Sequence, residues 1–281
     1  MNDPKTFRAA GLIGWPVFQS RSRMLHTYWL EAYGIPGVYV PMPVQPGRVE
    51  AALRGLAALG FAGANVTLPH KAEAARLADH VDPVAQRMGA VNLIVVQPDF
   101  SLGGFNTDGY GFIQNLRDGK PDWRADAGPA VVLGGGGGAR SVVVSLLDDG
   151  AAEIRLLNRT RVRADQIAAE FAGRVRALDW EKRESALAGA ALVVNTTTQG
   201  MIGHPPLALR LDELPGDALV CDIVYNPLET PLLVAARTRG NPTVNGLGML
   251  LHQARPAFAA WFGVLPEITA ELRGAIEATI G

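Results

Sequence analysis

The chain has one cysteine, Cys221, among 281 residues. That excludes an internal disulfide and suits a reducing compartment, so a cytoplasmic location is expected. There is no excess of either charge: Lys and Arg number 26 against 27 Asp and Glu, a formal net charge of −1. No global electrostatic basis remains for binding nucleic acid or an anionic membrane. No apolar run approaches the roughly 20 residues that cross a bilayer, and Met1 to Lys5 do not open a signal-peptide apolar segment. No cysteine or histidine cluster has metal-ligand spacing, so no metal is expected. Repeats of fixed period and low-complexity tracts are also missing. What remains is an ordinary globular composition, 48% apolar and 19% charged, in a chain long enough to bury two cores.

Glycine, by contrast, is abundant at 32 residues, and five stand together at 134–138. They follow an apolar run at 129–133 and precede Ser141 to Leu147, a run suited to a buried helix. Glycines at 134 and 136 permit a tight bend and let backbone N–H groups approach a pyrophosphate, while small Ala139 lets helix and strand pack closely. The helix N-terminus then offers unpaired N–H groups and a positive dipole end to phosphate. A second apolar run, 153–157, leads into Asn158, Arg159, Thr160, Arg161, Val162 and Arg163. NAD-binding units usually carry an acid about 20 residues past the glycines for the ribose 2′-hydroxyl. Here there is Arg159, with Arg161 and Arg163 behind it, and a guanidinium matches a 2′-phosphate in charge and shape. NADP is therefore expected over NAD; the alternative is a solvated basic start to the helix at 164–171.

In chain order, a strand at 8–14 leads to Ser20, Arg21, Ser22 and Arg23, then to a helix carrying Met24, Leu25, Tyr28, Trp29 and Tyr33. Locally Ser22 reads as an N-cap; alternatively Ser20 and Ser22 hold a substrate carboxylate at the helix start. A strand at 38–42, a helix at 46–60 with Val49, Leu53, Leu56 and Leu59 on one face, and a strand at 61–67 follow. This alternation argues an open, mostly parallel α/β sheet, whose ligands gather beyond the strands' carboxyl ends. Thr67 and Lys71 lie at such an end. Asn92 opens an apolar strand, so it either pairs with backbone or faces a ligand. Asp108 is either a helix N-cap or a carboxylate at a cleft. Further strands at 192–195 and 218–225 end in polar tracts, and apolar and amphipathic helices at 249–262 and 268–280 finish the chain. Gln253 and His252 are the polar exceptions in the first of these. The simplest organisation inserts a nucleotide-binding domain, 109–245, between 1–108 and 246–281, which form a discontinuous substrate domain.

Several blocks together resemble the shikimate dehydrogenase family nearly end to end. They are Ser20 to Ser22, Asn65 to Lys71, Gly89 to Asn92, Asn106 to Gly109, the glycine loop through Arg140, Asn158 to Thr160, Tyr225, and Asn245 to Met249 with Gln253. The resemblance implies an α/β substrate domain and a Rossmann-type NADP domain separated by a cleft, in a monomer or homodimer. It implies NADPH-dependent reduction of 3-dehydroshikimate to shikimate, and the reverse, as a step toward the aromatic amino acids. Lys71 and Asp108 match the family's proton-transfer pair. Ser20 and Ser22 match its carboxylate-binding serines, which overrides the local preference for a cap. Thr67, Asn92 and Gln253 match residues that bind ring hydroxyls, and Tyr225 one lining the substrate site. Gly134, Gly136, Gly137 and Ala139 match the phosphate loop, Arg159 and Arg163 the 2′-phosphate clamp, with Asn158 and Gly246 completing the cofactor set. The chain departs from the pattern at Gln19, where histidine is common, at Arg23, where proline is, and at Gly138, where alanine is frequent. The alternatives are a quinate/shikimate dehydrogenase with relaxed cofactor use and a non-catalytic NADP-binding sensor. A methylenetetrahydrofolate dehydrogenase shares the two-domain plan, but Asn106, Thr107 and Asp108 argue against it.

Overall fold

The computed structural model describes residues 6–171 and 173–280. Two compact units emerge, Met1–Thr107 with Gln253–Thr279, and Asp108–His252 with Ile280–Gly281. The first runs β1 (Arg8–Gly14), α1 (Ser22–Ala32), β2 (Gly37–Pro43), α2 (Val49–Ala58), β3 (Phe61–Val66), α3 (Lys71–Leu77), β4 (His80–Val81), α4 (Pro83–Met88), β5 (Leu93–Val96) and β6 (Leu102–Phe105). Its sheet has the order β2-β1-β3-β5-β6-β4. Neighbours are parallel except β3–β5 and β5–β6, so the sheet is mixed.

The second unit runs α5 (Asp108–Gly119), β7 (Ala130–Leu133), α6 (Gly137–Asp148), β8 (Ile154–Leu157), α7 (Arg161–Ala169), β9 (Val175–Leu178), β10 (Leu192–Asn195), β11 (Leu219–Asp222), α8 (Pro231–Thr238) and β12 (Thr243–Val244). Every pairing is parallel and the order is β12-β11-β10-β7-β8-β9. Counted from β7, this is the 3-2-1-4-5-6 order of the doubly wound dinucleotide fold, with its switch point between β7 and β10. The chain closes with α9 (Leu247–Phe262) and α10 (Ala270–Glu277). The unit boundary falls inside α9, between His252 and Gln253.

Periodicity explains the cores. In α2, Val49, Leu53 and Leu56 are buried at helical spacing and pack with Ile13, Val66 and Ile94. Leu59, expected on that face, is 75% exposed because α2 stops at Ala58 and Gly60 turns the chain at φ 72°. In the second unit β7 and β10 are buried along their whole length, as strands covered on both faces must be. Several ends differ from expectation. α6 starts at Gly137, ahead of the apolar run, and β11 stops at Asp222, whose carboxylate takes the Val224 N–H and turns the chain.

An aromatic cluster fills the other side of the first unit's sheet. Its centre is His26, stacked on Tyr39 at 4.1 Å and 5° and ringed by Trp29, Trp261 and Phe258. His26 is fully buried, and among the described residues neither ring nitrogen has a hydrogen-bond partner. Burial disfavours the imidazolium and pushes its pKa down to about 3. Above pH 6.5 this costs nothing, since histidine is neutral in both states. As pH falls from 6.5 toward 3, the unfolded chain takes up a proton that the folded chain refuses, and stability drops by up to about 1.4 kcal/mol per pH unit. Asp222, whose pKa burial raises, works in the opposite sense: its contribution is present at low pH and is lost as pH rises through its folded pKa. Comparison with His26→Phe cancels Asp222. In urea titrations between about pH 4.5 and 7.5, His26→Phe should gain stability relative to wild type as pH falls. A constant difference would show that His26 does not titrate this way.

Candidate active site

Two serines meet at the start of α1. Ser20 Oγ lies 3.1 Å from Ser22 Oγ and accepts the Ser22 N–H at 3.3 Å. The N-cap expectation for Ser22 fails. The helix begins at Ser22 itself, and Arg21 holds the cap position without a side-chain cap hydrogen bond. Arg21 is anchored elsewhere, donating to Gln19 O and Thr279 O, both at 2.7 Å.

A second group forms where β3 and β6 end and β5 begins. Thr67 is half-buried just past β3, its N–H on Ile13 O at 2.9 Å. Lys71 is the half-buried first residue of α3, and its carbonyl accepts the Val91 N–H at 2.9 Å. Asn92 is almost fully buried. Its Oδ1 accepts the Thr107 N–H at 2.9 Å, its Nδ2 donates to Thr107 Oγ1 at 3.1 Å, and its backbone N–H donates to Phe105 O. Oδ1 therefore pairs with backbone and Nδ2 with a side-chain hydroxyl. Asp108, the residue after Thr107, is half-buried and is the first residue of α5. Gln253 is half-buried on α9.

Two buried residues with no sequence-assigned role join these groups. Tyr39 O–H donates to Asn65 Oδ1 at 2.8 Å, and Asn65 Nδ2 donates to the Asn92 carbonyl at 3.0 Å. The Ser22 side chain is the other polar group acting on the Tyr39 phenol. Asn65 carries the same signal as Asn92, an amide inside an apolar strand. Tyr39 carries none, because a tyrosine in a strand is commonplace.

In the second unit the glycine loop is built against its neighbours. Gly134 has φ 127°, which L side chains avoid, and a Cβ there would lie 2.2 Å from Thr196 Oγ1. A Cβ at Gly135 would meet Asn158 Cγ at 2.9 Å and Arg163 Cβ at 3.1 Å. At Gly136 and Gly137 a Cβ would instead enter open space, and Gly136 caps α6 in extended conformation with no side-chain cap among the described residues. A helix N-terminus with open space beside its cap and first residue fits a diphosphate. Ala139 is fully buried under the loop, and a Cβ at Gly138 would make a tight 3.1 Å contact with Ile223 Cδ1. Gly246 is required by packing, since its Cβ would fall 2.1 Å from Ile223 O.

The three arginines separate. Arg161 is held by Asp165 at 2.8 Å and Asp179 at 2.5 Å. Arg159 and Arg163 are exposed, and among the described residues neither has an ion-pair partner. Beside them Asn158 donates to Thr160 O at 2.8 Å and shapes the turn. This set fits a nucleotide bearing a 2′-phosphate. Half-buried Tyr225 follows Val224, whose carbonyl accepts the Gly246 N–H at 3.0 Å. Among the described residues no cluster of His, Cys, Asp and Glu could hold a metal, and no helix is long and apolar enough to cross a membrane.

Comparison with known proteins agrees across nearly the whole chain. Residues 12–94 match the family model for the shikimate dehydrogenase substrate binding domain, and 123–204 that for shikimate / quinate 5-dehydrogenase. Shikimate dehydrogenase (NADP(+)) of Paramagnetospirillum magneticum is 54% identical over 95% of this chain and 96% of its own. The enzyme of the same name from Paracoccus denitrificans is 51% identical over 98% of both chains. Among solved structures, shikimate 5-dehydrogenase from Thermus thermophilus with NADP(H) and shikimate superposes at a TM-score of 0.84, 35% identity, covering 97% and 98%. Quinate dehydrogenase from Corynebacterium glutamicum with NAD gives 0.89 at 31% identity, covering 97% and 100%. With half its residues identical to full-length relatives, the chain belongs to the shikimate dehydrogenase family.

Proposed function

We propose that this oxidoreductase reduces 3-dehydroshikimate to shikimate reversibly with NADPH, Lys71 and Asp108 moving the proton. The observation that carries this reading is how the segment entering β5 gathers the chain: Val91 holds the Lys71 carbonyl while the adjacent Asn92 holds Thr107, the residue before Asp108. Bound NADPH supplies a hydride to the substrate's ketone carbon. The Lys71 ammonium gives its proton to the developing alkoxide and takes it back in oxidation, while Asp108 orients the lysine and accepts a hydrogen bond from a substrate hydroxyl. Ser20 and Ser22 hydroxyls donate to the substrate carboxylate. Thr67, Asn92 and Gln253 bond ring hydroxyls, and Tyr225 lines the site. A site built this way rejects analogues that lack a hydroxyl, because its own polar groups are then left unpaired.

For the cofactor, Gly134, Gly136, Gly137 and Ala139 shape the diphosphate notch, Asn158 and Gly246 complete its surroundings, and Arg159 with Arg163 grips the 2′-phosphate. The same reading makes the chain a cytoplasmic small-molecule enzyme acting as a monomer or homodimer, its buried Cys221 thiol kept reduced.

Lys71→Ala and Asp108→Ala should each lower kcat on the order of 10²-fold or more, with the NADP Kd and the melting temperature near wild type. Near-normal turnover in either variant removes that residue from the chemistry. Arg159→Ala should raise KM for NADP roughly 10-fold to 100-fold and leave KM for NAD nearly unchanged. Arg161→Ala, already engaged by Asp165 and Asp179, should change neither by much. Equal losses with both cofactors would refute the clamp, and faster turnover of quinate with NAD would favour a quinate dehydrogenase.

A further inference from the structure

Only the first residue of α5, Asp108, has a place in the reaction scheme above, yet the helix is gripped further along. Asn115 lies two turns on and Gly119 one turn beyond that, both on the face that carries Asp108. At Gly119 the helix lies flat on β12, since a Cβ there would overlap Val244 Cγ2. Asn115 is buried, and its Nδ2 donates to the Asn245 carbonyl at 2.7 Å. A carbonyl only accepts, so the carboxamide must present its nitrogen there. Its Oδ1 is left against Gly248 in the first turn of α9, where a Cβ would overlap it. Asn245 is itself held, because its Oδ1 takes the Leu247 N–H at 3.1 Å. The next residue, Gly246, donates to the Val224 carbonyl, one residue before Tyr225, at 3.0 Å. A second grip follows at Asp118, whose Oδ2 accepts from His252 Nε2 at 2.6 Å.

We propose that Asn115 is a positioning residue for Asp108, its carboxamide fixing the rotation of α5 against the turn that carries Gly246. Apolar burial is non-directional, so packing alone leaves a helix able to roll or slide on its neighbours. A short hydrogen bond from the side of the helix to a fixed carbonyl has a direction, and it removes that freedom. Asp108 stands about 10 Å up the same face, close enough that a roll at Asn115 passes along the helix and swings the carboxylate. The two glycines serve the same end. With no Cβ at Gly119 or Gly248, α5 comes near enough to β12 and α9 for the carboxamide to reach the Asn245 carbonyl. A leucine at 115 would fill the space but would leave that carbonyl without its donor.

This inference rests on the reading that gives Asp108 its part in the chemistry, and a double-mutant cycle separates the two. Shikimate oxidation kinetics, and calorimetric Kd values for shikimate and NADP, are measured on wild type, Asn115→Ala, Asp108→Ala and the double variant. Asn115→Ala should lower kcat about tenfold, since a small misplacement of a catalytic group is costly. Both Kd values should stay within about twofold of wild type, because the fall comes from a displaced group and not from a loosened site. In the Asp108→Ala background the same substitution should lower kcat less than about twofold, because the group it places is gone. An unchanged kcat in Asn115→Ala overturns the inference alone. So does an equal fall in both backgrounds, or a rise in Kd as large as the fall in kcat. Near-normal turnover in Asp108→Ala overturns both the inference and the reading beneath it. Should Asn115→Ala not fold, Asn115→Ser cuts the same link, its shorter hydroxyl turning to the Gly111 carbonyl one turn back. An unchanged kcat there also overturns the inference.

Discussion

The first unit depends on one buried carboxamide. The side chain of Asn92 offers Thr107 the acceptor and donor that a neighbouring strand would offer, at 2.9 and 3.1 Å, at the point where β5 has not yet begun and β6 has ended. Its backbone carbonyl takes two donors, Val66 N–H and Asn65 Nδ2. Leaving any one of these buried groups unpaired would cost about 1–3 kcal/mol, several times a normal hydrogen bond's net worth at the upper end. The arrangement therefore holds the ends of three strands in one place. Those ends carry Thr67, Lys71 and the segment entering Asp108, so the residues available for chemistry are set by an interaction that need not itself take part in it.

The second unit solves a similar problem with a buried carboxyl group. Asp222 is fully buried and has no cation beside it among the described residues. Burial pushes its pKa up, and three donors oppose that: Thr230 Oγ1 at 2.7 Å, Val224 N–H at 3.0 Å and Asn195 Nδ2 at 3.0 Å. Asn195 then accepts from Thr197 N–H and Oγ1, while Thr196 Oγ1 bonds the Leu133 carbonyl at 2.7 Å. The ends of β7, β10 and β11 are locked together immediately beside the glycine turn. This is why Gly134 tolerates no side chain: the space at its Cβ is already taken by Thr196.

The alternation of strands and helices, the mostly parallel sheets and the glycine turn were legible from apolar periodicity and residue type, because each depends on neighbours a few residues apart. What was not legible depends on register. Tyr39 and Asn65 stand 26 residues apart and meet only because both strands register on β1, with an alanine between them. Asp222 looked like one polar residue in an apolar strand, and its role required Asn195 and Thr230 to arrive from other elements. Ser22 illustrates a smaller limit. Its hydroxyl and its place before an apolar run are what a cap needs, but a shift of one residue in the helix start gives that position to Arg21 and leaves the hydroxyl for other work.

The arginines at 159, 161 and 163 make the same point about charge. Along the chain they are equivalent, three guanidiniums at alternate positions. Folding α7 from Arg161 places Asp165 one turn on, at the spacing where opposite charges meet. The parallel pairing of β8 with β9 brings Asp179, just past β9, to the same guanidinium. One arginine is thereby spent on shaping the turn, and the two left without an ion pair flank it, the Arg163 Cβ lying 3.1 Å from where a Gly135 Cβ would stand. A free guanidinium next to a phosphate notch is far more useful for recognising a dianion than one already paired, since no existing ion pair has to be broken before the ligand's charge can be met. On the proposed NADP reading, cofactor preference turns less on how many basic residues follow β8 than on which of them the carboxylates of α7 and the β9 end leave unclaimed.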